Sequence, residues 1–489
     1  MSGVMPHFDA VIVGSGFGGA STASKLATAG MRVLVLERGP WWGATGAWGD
    51  PDRHRNFPTG VLGARRTMRG VRLGTDRISR SVRFRTDGLY ELHQFNNLSC
   101  MVASGVGGGS LVYTNMMVAP PVGHFDDAYP AEVAASDMDR YIVEVRHVLN
   151  PTPDVRPHRK AEAFTRAAAA TGDGTVTHPD LAIDFDGADG GAADHPCLLG
   201  SPDLSKQSMD NTYLRKAANA GATIQALCEV EAITPPNDNG GWQVRYRDLD
   251  TGRAHVVAAN RVVLAAGTLG TLRLLFTARD AQQTLPLIGS ALGRNFTPNG
   301  DVASLVYGSG YDIKSGTGPS ITAFQQVVGQ RTYLTGEFGL PLRSLPRPLR
   351  GRLSKSTVLF SMGADHIAAE MRWRDGNLHC DVGRSDDLDL YDNIAEHATR
   401  IGSGYNSKRV LANAPFGPRS NRLFTVHPVG GLPMGSDPIR HVIDHAGQVH
   451  NYPGLFVADG AVLQKAPGIP PSLTIAALAA RQADLMTQP

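Results

Sequence analysis

From Phe8 to Arg38 the apolar positions fall into three blocks: a continuous AVIV at 10 to 13, an Ala-rich segment after Gly19, and a second continuous run in RVLVLE. Short uninterrupted apolar runs mark strands buried on both faces, so the stretch predicts a strand, a helix and a second strand in a βαβ unit. The first strand breaks at Gly14 into Gly-Ser-Gly-Phe-Gly-Gly. There Gly14 permits the tight turn, Gly16 lets the backbone approach a pyrophosphate, and Gly19 lets the helix pack on the strand; the helix N-terminus supplies N–H donors. Glu37 follows about 20 residues on, where a carboxylate accepts hydrogen bonds from an adenosine ribose. A dinucleotide site is expected here, and the unit alone admits either NAD or FAD.

The pattern then changes. Residues 40 to 92 are rich in Trp, Gly, Arg and Pro without clear periodicity, which predicts a long surface or lid excursion. VASGVGGGSLVYTNMMV at 102 to 118 carries Gly105, Gly107, Gly108 and Gly109, a second glycine cradle suited to close approach of a flat or charged ligand. Helices are expected at Ser136 to Leu149, Ala161 to Thr171 and Met209 to Gly221, followed by strands in ATIQALCEVEAITP, GGWQVRYRD and RAHVVAANRVVLAAG. The last of these runs through Ala266 and Gly267 into a helix, like a second half of a nucleotide-binding sheet. Between Val302 and Ser420, apolar and polar residues alternate in ASLVYG, TYLTGEFGL, STVLFSMGA, AAEMRWRD and NLHCDV, the signature of an antiparallel sheet walling a separate domain. Near the C-terminus a strand pair surrounds VIDHAGQVH, and a strand at Leu455 to Ala458 ends at Asp459-Gly460. A helix from Ser472 to Met486 then starts behind Pro471, leaving the N–H groups of Ser472 and Leu473 facing whatever negative charge lies beyond.

Composition narrows the class. The 489 residues, 42% hydrophobic and 19% charged with a net charge of +2, describe a globular enzyme-sized chain of up to about three domains, with nothing that calls for nucleic acid or an acidic membrane surface. The densest basic run, Arg65 to Arg85, reads as a solvated loop. Cys100, Cys197, Cys228 and Cys380 lie too far apart for a metal motif or a disulfide framework and are expected as free thiols. Asp184, Asp186, Asp189 and Asp194 lack the calcium-loop register and read as a solvated turn. MSGVMPHF leads straight into the first strand without a signal peptide, and no apolar run reaches membrane-spanning length; stable membrane insertion is not expected and a cytoplasmic location is.

Six segments in order carry a resemblance: GSGFGG at 14, GVGGGSLVYTN at 105, VVLAAGTLGTLRLL at 262, LGRNFTPNGD at 292, HPVGG at 427, and GLFVADGAVLQKAPGIPPSLTIAALAAR at 454. Together they resemble the glucose-methanol-choline (GMC) family of flavin oxidoreductases, and within it the cholesterol oxidase-like branch. The resemblance implies an α/β fold in which an FAD-binding Rossmann-like βαβ domain (1–45, 92–120, 207–301, 421–489) is interleaved with a substrate domain built on an antiparallel sheet (46–91, 121–206, 302–420). It implies FAD, with Glu37 at the ribose and Phe17, Arg38, Val230, Ala266 and Gly267 as further contacts. Gly105, Gly108, Gly109, Ser110 and Asn115 are expected along the isoalloxazine and pyrophosphate, with side-chain hydrogen bonds from Ser110 and Asn115. Asp459 and Gly460 are expected by the ribitol and pyrimidine edge, and Ser472 and Leu473 at flavin N1 and O2, where the helix stabilises the anion formed on reduction.

By the same resemblance His427 is the one of 16 histidines expected to orient or deprotonate a substrate hydroxyl while the neighbouring C–H passes to flavin N5 as hydride. Imidazole suits this because its unperturbed pKa of about 6.5 allows proton exchange near neutrality. Two departures stand out. The asparagine or second histidine usual in the family is replaced by Pro470, in the turn Gly468-Ile469-Pro470-Pro471, and proline neither donates a hydrogen bond nor takes a proton. The glutamate of the cholesterol oxidase-like branch has no clear counterpart: Ser356 stands near its place, with Glu337 and Glu370 as the nearby carboxylates. The expectation is FAD-dependent oxidation of a hydrophobic alcohol with oxygen or another electron acceptor; isomerisation, lyase chemistry or a non-catalytic flavin-binding role are the alternatives.

Overall fold

The computed structural model describes residues 5–44, 48–126, 128–186, 191–236 and 240–488. The opening unit forms as its pattern dictates: strand His7–Val13, helix Phe17–Thr28 and strand Val33–Leu36. They belong to a seven-stranded sheet in which Thr223–Gln225, Val33–Leu36, His7–Val13 and Ala254–Leu264 lie side by side in parallel. Leu455–Val457 joins in parallel at the C-terminal end of Ala254–Leu264, while Trp242–Asp248 and then Cys228–Thr234 extend the sheet antiparallel. Ala10, Val11, Ile12, Val33, Leu34 and Val35 are all essentially inaccessible, as strands covered on both faces require.

Small residues set the depth of packing. Helix Phe17–Thr28 presents Gly18, Ala20, Ala23 and Ala27 to its surroundings, and the C-terminal helix Ser472–Thr487 answers with Ala476, Ala477, Ala480 and Ala483. The two helices come close enough for Ser21 Oγ to donate to the Ala476 carbonyl at 3.1 Å. On the side facing the end of strand Leu455–Val457, a Cβ on Gly18 would stand 1.6 Å from the Ala458 carbonyl oxygen, so no side chain is admitted there.

The alternating segments after Val302 form an antiparallel six-stranded sheet in the order Arg409–Leu411, Val302–Tyr307, Thr357–Gly363, Tyr333–Phe338, Phe324–Val327, Val176–Thr177. Two expected members stand apart: Arg372–Arg374 and Asn377–His379 close on each other as a separate hairpin, because Asp375 and Gly376, both at positive φ, turn the chain back at once. The tract from 40 to 92 is more ordered than its composition suggests. Met68–Gly74, Ser79–Arg83 and Tyr90–Gln94 join Leu98–Ala103 and Leu423–Thr425 in a five-stranded sheet. The boundary drawn at 91/92 therefore runs through one of its strands. The arginine run is likewise not a solvated loop throughout: Arg69 is fully buried and Arg72 pairs with Glu91. The four cysteines are free and buried. Asp189 lies outside the described residues, among which no metal-binding cluster occurs and no helix is long and apolar enough to cross a membrane.

Gly18→Ala is expected to lower stability by about 1–3 kcal/mol through overpacking, read as a fall in the urea midpoint. Gly351→Ala, in the exposed helix Arg347–Leu353 with no atom within 4 Å of the new Cβ, should raise it by about 0.5–1 kcal/mol.

Candidate active site

Two glycine loops meet at the carboxyl ends of the parallel strands. Gly14, at φ +100°, could bear no Cβ because the Ala265 carbonyl oxygen would lie 2.2 Å away, and a Cβ on Gly19 would lie 2.2 Å from the Gly14 carbonyl oxygen. Gly16 differs: its Cβ would meet nothing nearer than Gly108 Cα at 3.9 Å, and Gly109 and Gly267 face space with no protein atom within 4 Å. The loops are tied together through Glu37. Its Oε2 accepts from Ser15 N at 3.2 Å and Ser15 Oγ at 2.7 Å, its Oε1 accepts from Gly39 N at 2.8 Å, and Ser15 Oγ accepts from Gly107 N at 3.1 Å. Oε2 is thereby filled, while Oε1 retains lone-pair capacity for a ribose hydroxyl.

Several expected contacts are committed within the protein. Ser110 Oγ donates to the Gly107 carbonyl at 2.7 Å and accepts from Met209 N at 2.8 Å. Asn115, at φ +67°, donates from Nδ2 to the Ala182 carbonyl at 2.6 Å and accepts on Oδ1 from Lys206 Nζ at 2.7 Å. Both side chains brace the cradle through these bonds, and Asn115 Nδ2 keeps a second N–H and Ser110 Oγ a second lone pair. Arg38 turns to Glu91 at 2.8 Å, and Phe17 packs edge-on against Tyr113. Val230 is buried at a bulge in its strand, and Ala266 N donates to Thr271 Oγ1 at 3.2 Å. Asp459 accepts from Thr271 Oγ1 at 2.5 Å and Ala461 N at 2.9 Å; burial pushes its carboxyl up to about 6. Gly460 accepts on its carbonyl from Gly430 N at 2.9 Å, which joins this turn to the HPVGG segment. At the C-terminal helix no side chain caps the N-terminus, Leu473 is inaccessible, and the buried Ser472 Oγ has no hydrogen-bond partner. An orphaned hydroxyl at an uncapped helix start, beside glycines that open onto unfilled space, fits a dinucleotide carrying a polar ring edge.

His427 follows the strand Leu423–Thr425 directly. Asp301, 1% exposed, gathers the segment: Oδ2 accepts from Thr425 Oγ1 at 2.8 Å and Val426 N at 2.9 Å, and Oδ1 pairs with His427 Nδ1 at 3.0 Å. Thr425 Oγ1 in turn accepts from His427 N at 2.9 Å. A carboxylate only accepts, so in the neutral imidazole the proton sits on Nδ1 and Nε2 carries the lone pair. Nε2 bonds to no described residue, and the ring stands edge-on to Phe360 at 6.1 Å. Asn299, fully buried, spends its amide on the turn opposite, donating to the Ile469 carbonyl and accepting from Gly468 N, both at 3.0 Å. Phe360 and Ile469 border an apolar cluster with Met116, Ile321, Phe324 and Met362.

None of the three positions weighed for the missing glutamate supplies a free base. Ser356 Oγ accepts from Gly308 N at 3.2 Å. Glu337 is buried against Lys160 at 3.1 Å and Thr322 N at 2.7 Å, and Glu370 pairs with Arg372 at the surface. Sequence reasoning gave no role to Asp301 or Asp365. Asp301 lies inside a motif already singled out, LGRNFTPNGD, whereas Asp365 carries no local signal. Asp365 braces the same loop, accepting from Thr297 Oγ1 at 2.5 Å and Gly300 N at 2.7 Å, and burial pushes its carboxyl up to about 7.

Gly16→Ala is expected to leave the melting temperature of the apoprotein unchanged, because the methyl meets no protein atom closer than 3.9 Å, while weakening FAD binding at least tenfold (about 1.4 kcal/mol) in a fluorescence titration. Asp365 holds its proton more tightly folded than unfolded, so its contribution is complete below its ordinary value of 3.8 and fades as pH rises to about 7. Urea melts across that window should show wild type losing stability relative to Asp365→Asn as pH increases.

The GMC oxidoreductase family models match this chain over residues 8–297 and 404–479. A cholesterol oxidase of Acinetobacter baumannii is 24% identical across 97% of this chain and 93% of its own length. A cholesterol oxidase of Mycobacterium tuberculosis is 26% identical across 98% and 91%. The crystal structure of pyridoxine 4-oxidase from Mesorbium loti superposes with a TM-score of 0.67 at 17% identity, covering 98% of each chain, which establishes the shared fold. With these matches spanning the glycine loops, the second half-sheet and the His427 segment, the chain belongs to the GMC oxidoreductase family and is an FAD-dependent oxidoreductase.

Proposed function

We propose that this enzyme oxidises a hydrophobic alcohol, sterol-like, alicyclic or long-chain, with His427 Nε2 accepting the hydroxyl proton. The observation that carries the reading is the His427–Asp301 pair: a buried carboxylate on Nδ1 leaves the other ring nitrogen as the acceptor. As the proton arrives, the imidazolium forms beside Asp301, whose negative charge stabilises it without taking the proton itself. Asp301 is a positioning residue; His427 is the catalytic one. FAD, when bound, supplies the acceptor for the hydride that leaves the carbinol carbon.

Its holding residues are Gly14, Gly16, Gly19 and Glu37 at the nucleotide end, and the backbone of Gly105 to Asn115, Asp459-Gly460 and Ser472-Leu473 along the flavin. The apolar cluster bordered by Phe360 and Ile469 favours a hydrophobic substrate, as do relatives named for cholesterol oxidation. Pro470 and Asn299, whose neutral amide clamps Gly468 and Ile469 and takes no proton, leave His427 to handle the proton alone.

In Asp301→Asn, Thr425 Oγ1 and Val426 N still require an acceptor, so the amide oxygen stays with them and the NH2 faces Nδ1. That donation forces the ring proton onto Nε2 and removes the base. Anaerobic stopped-flow mixing with a panel of sterols, terpenols and long-chain alcohols should bleach the wild-type flavin. The rate should fall about 10²–10⁴-fold in Asp301→Asn and in His427→Ala, with substrate affinity little changed. Absence of bleaching by every alcohol, a full rate in Asp301→Asn, or product formed without consumption of an acceptor contradicts the proposal.

A further inference from the structure

Cys197 and Lys206 form a buried pair on the protein side of the glycine cradle. Cys197 is 3% exposed and Lys206 is 3% exposed. Lys206 Nζ lies 3.0 Å from Cys197 Sγ, donates to the Tyr113 carbonyl at 2.6 Å and to Asn115 Oδ1 at 2.7 Å, and sits 4.5 Å from the centre of the Tyr113 ring. The thiol is the foremost of the groups supporting charge on the amine, ahead of Asp210 and Asp203. The contact sets the amine nitrogen directly beside the sulfur it would attack. Burial also lowers the affinity of Lys206 for its proton, so the neutral amine, a nucleophile, is within reach. Lys206 also lines a pocket with Trp42, Phe57, Leu111 and Asp210, so the pair lies next to a cavity.

We propose that Cys197 and Lys206 are a modification site: hydrogen peroxide oxidises the thiol to a sulfenic acid, which the lysine amine captures as a covalent sulfur–nitrogen cross-link. In the first step the peroxide O–O bond breaks, one oxygen joins Sγ and the other leaves as water, and the sulfur loses two electrons to peroxide. In the second, Nζ attacks Sγ, the S–O bond breaks, and hydroxide departs with an amine proton as a second water. Peroxide is the only co-reactant, and the step is independent of which alcohol the enzyme oxidises.

The link has a local consequence. An ammonium offers three donors, whereas the cross-linked nitrogen keeps one N–H, so Lys206 can no longer serve both the Tyr113 carbonyl and Asn115 Oδ1. Oxidation therefore loosens the end of the 105–115 cradle. Cys100, Cys228 and Cys380 make no hydrogen bond with a lysine among the described residues and are not expected to react this way.

The test is peptide mapping without reductant after exposing the FAD-loaded enzyme to hydrogen peroxide. The expected product is a linked peptide pair containing Cys197 and Lys206, lighter by two hydrogens than the two reduced peptides together, and released by dithiothreitol. Lys206→Arg, which keeps the charge but supplies no such amine, should instead accumulate sulfinic or sulfonic acid at Cys197. Recovery of wild-type Cys197 only as free thiol, or as sulfinic or sulfonic acid with Lys206 unmodified, overturns the proposal, and this outcome is read on wild type whether or not the variant folds.

Discussion

The buried carboxylate of Asp301 is the joint on which the candidate site depends. It stands at the head of Val302–Tyr307, a strand of the antiparallel sheet, and accepts from the end of Leu423–Thr425, a strand of the five-stranded sheet. Its third bond orients His427. A fully desolvated carboxylate is costly unless its lone pairs are matched, and here Thr425 Oγ1, Val426 N and His427 Nδ1 match them. Fixing the junction of two sheets and fixing the tautomer of the base are therefore one event. Asp365 and Asn299 reinforce the loop behind it, one bracing Thr297 and Gly300, the other clamping Gly468 and Ile469.

At the other end of the site, space is governed by what the backbone lacks. Gly14, Gly18 and Gly19 are needed because protein atoms press against them, while Gly16, Gly109 and Gly267 are free of such contact. The first group builds the wall and the second leaves it bare. Glu37 links the loops through Ser15, so the carboxylate expected at the ribose also sets the spacing of the two cradles. In the proposed reading a single extended cofactor spans both loops and the Ser472 helix start.

Much of this was legible in sequence because it is local. The βαβ unit, the long strand ending at Ala266, the alternating strands after Val302 and the Pro471 helix start all follow from periodicity and turn chemistry within a few residues. What escaped is non-local. Strands Met68–Gly74 and Ser79–Arg83 are rich in Arg and Gly, and their order comes from pairing and from partners such as Glu91 and Glu229. The bracing roles of Ser110 and Asn115 are invisible locally because their partners, Met209 and Ala182 with Lys206, lie far along the chain. Asp301 was visible in a recognised motif, yet its function appears only when the fold brings His427 to it.

Asp301 holds His427 with its proton on Nδ1 and its Nε2 lone pair free. Nitrogen-15 NMR of the imidazole in the FAD-loaded enzyme at neutral pH tests this directly. The expected spectrum shows a protonated Nδ1 and an unprotonated Nε2 for His427. A resonance pattern with the proton on Nε2 would contradict it.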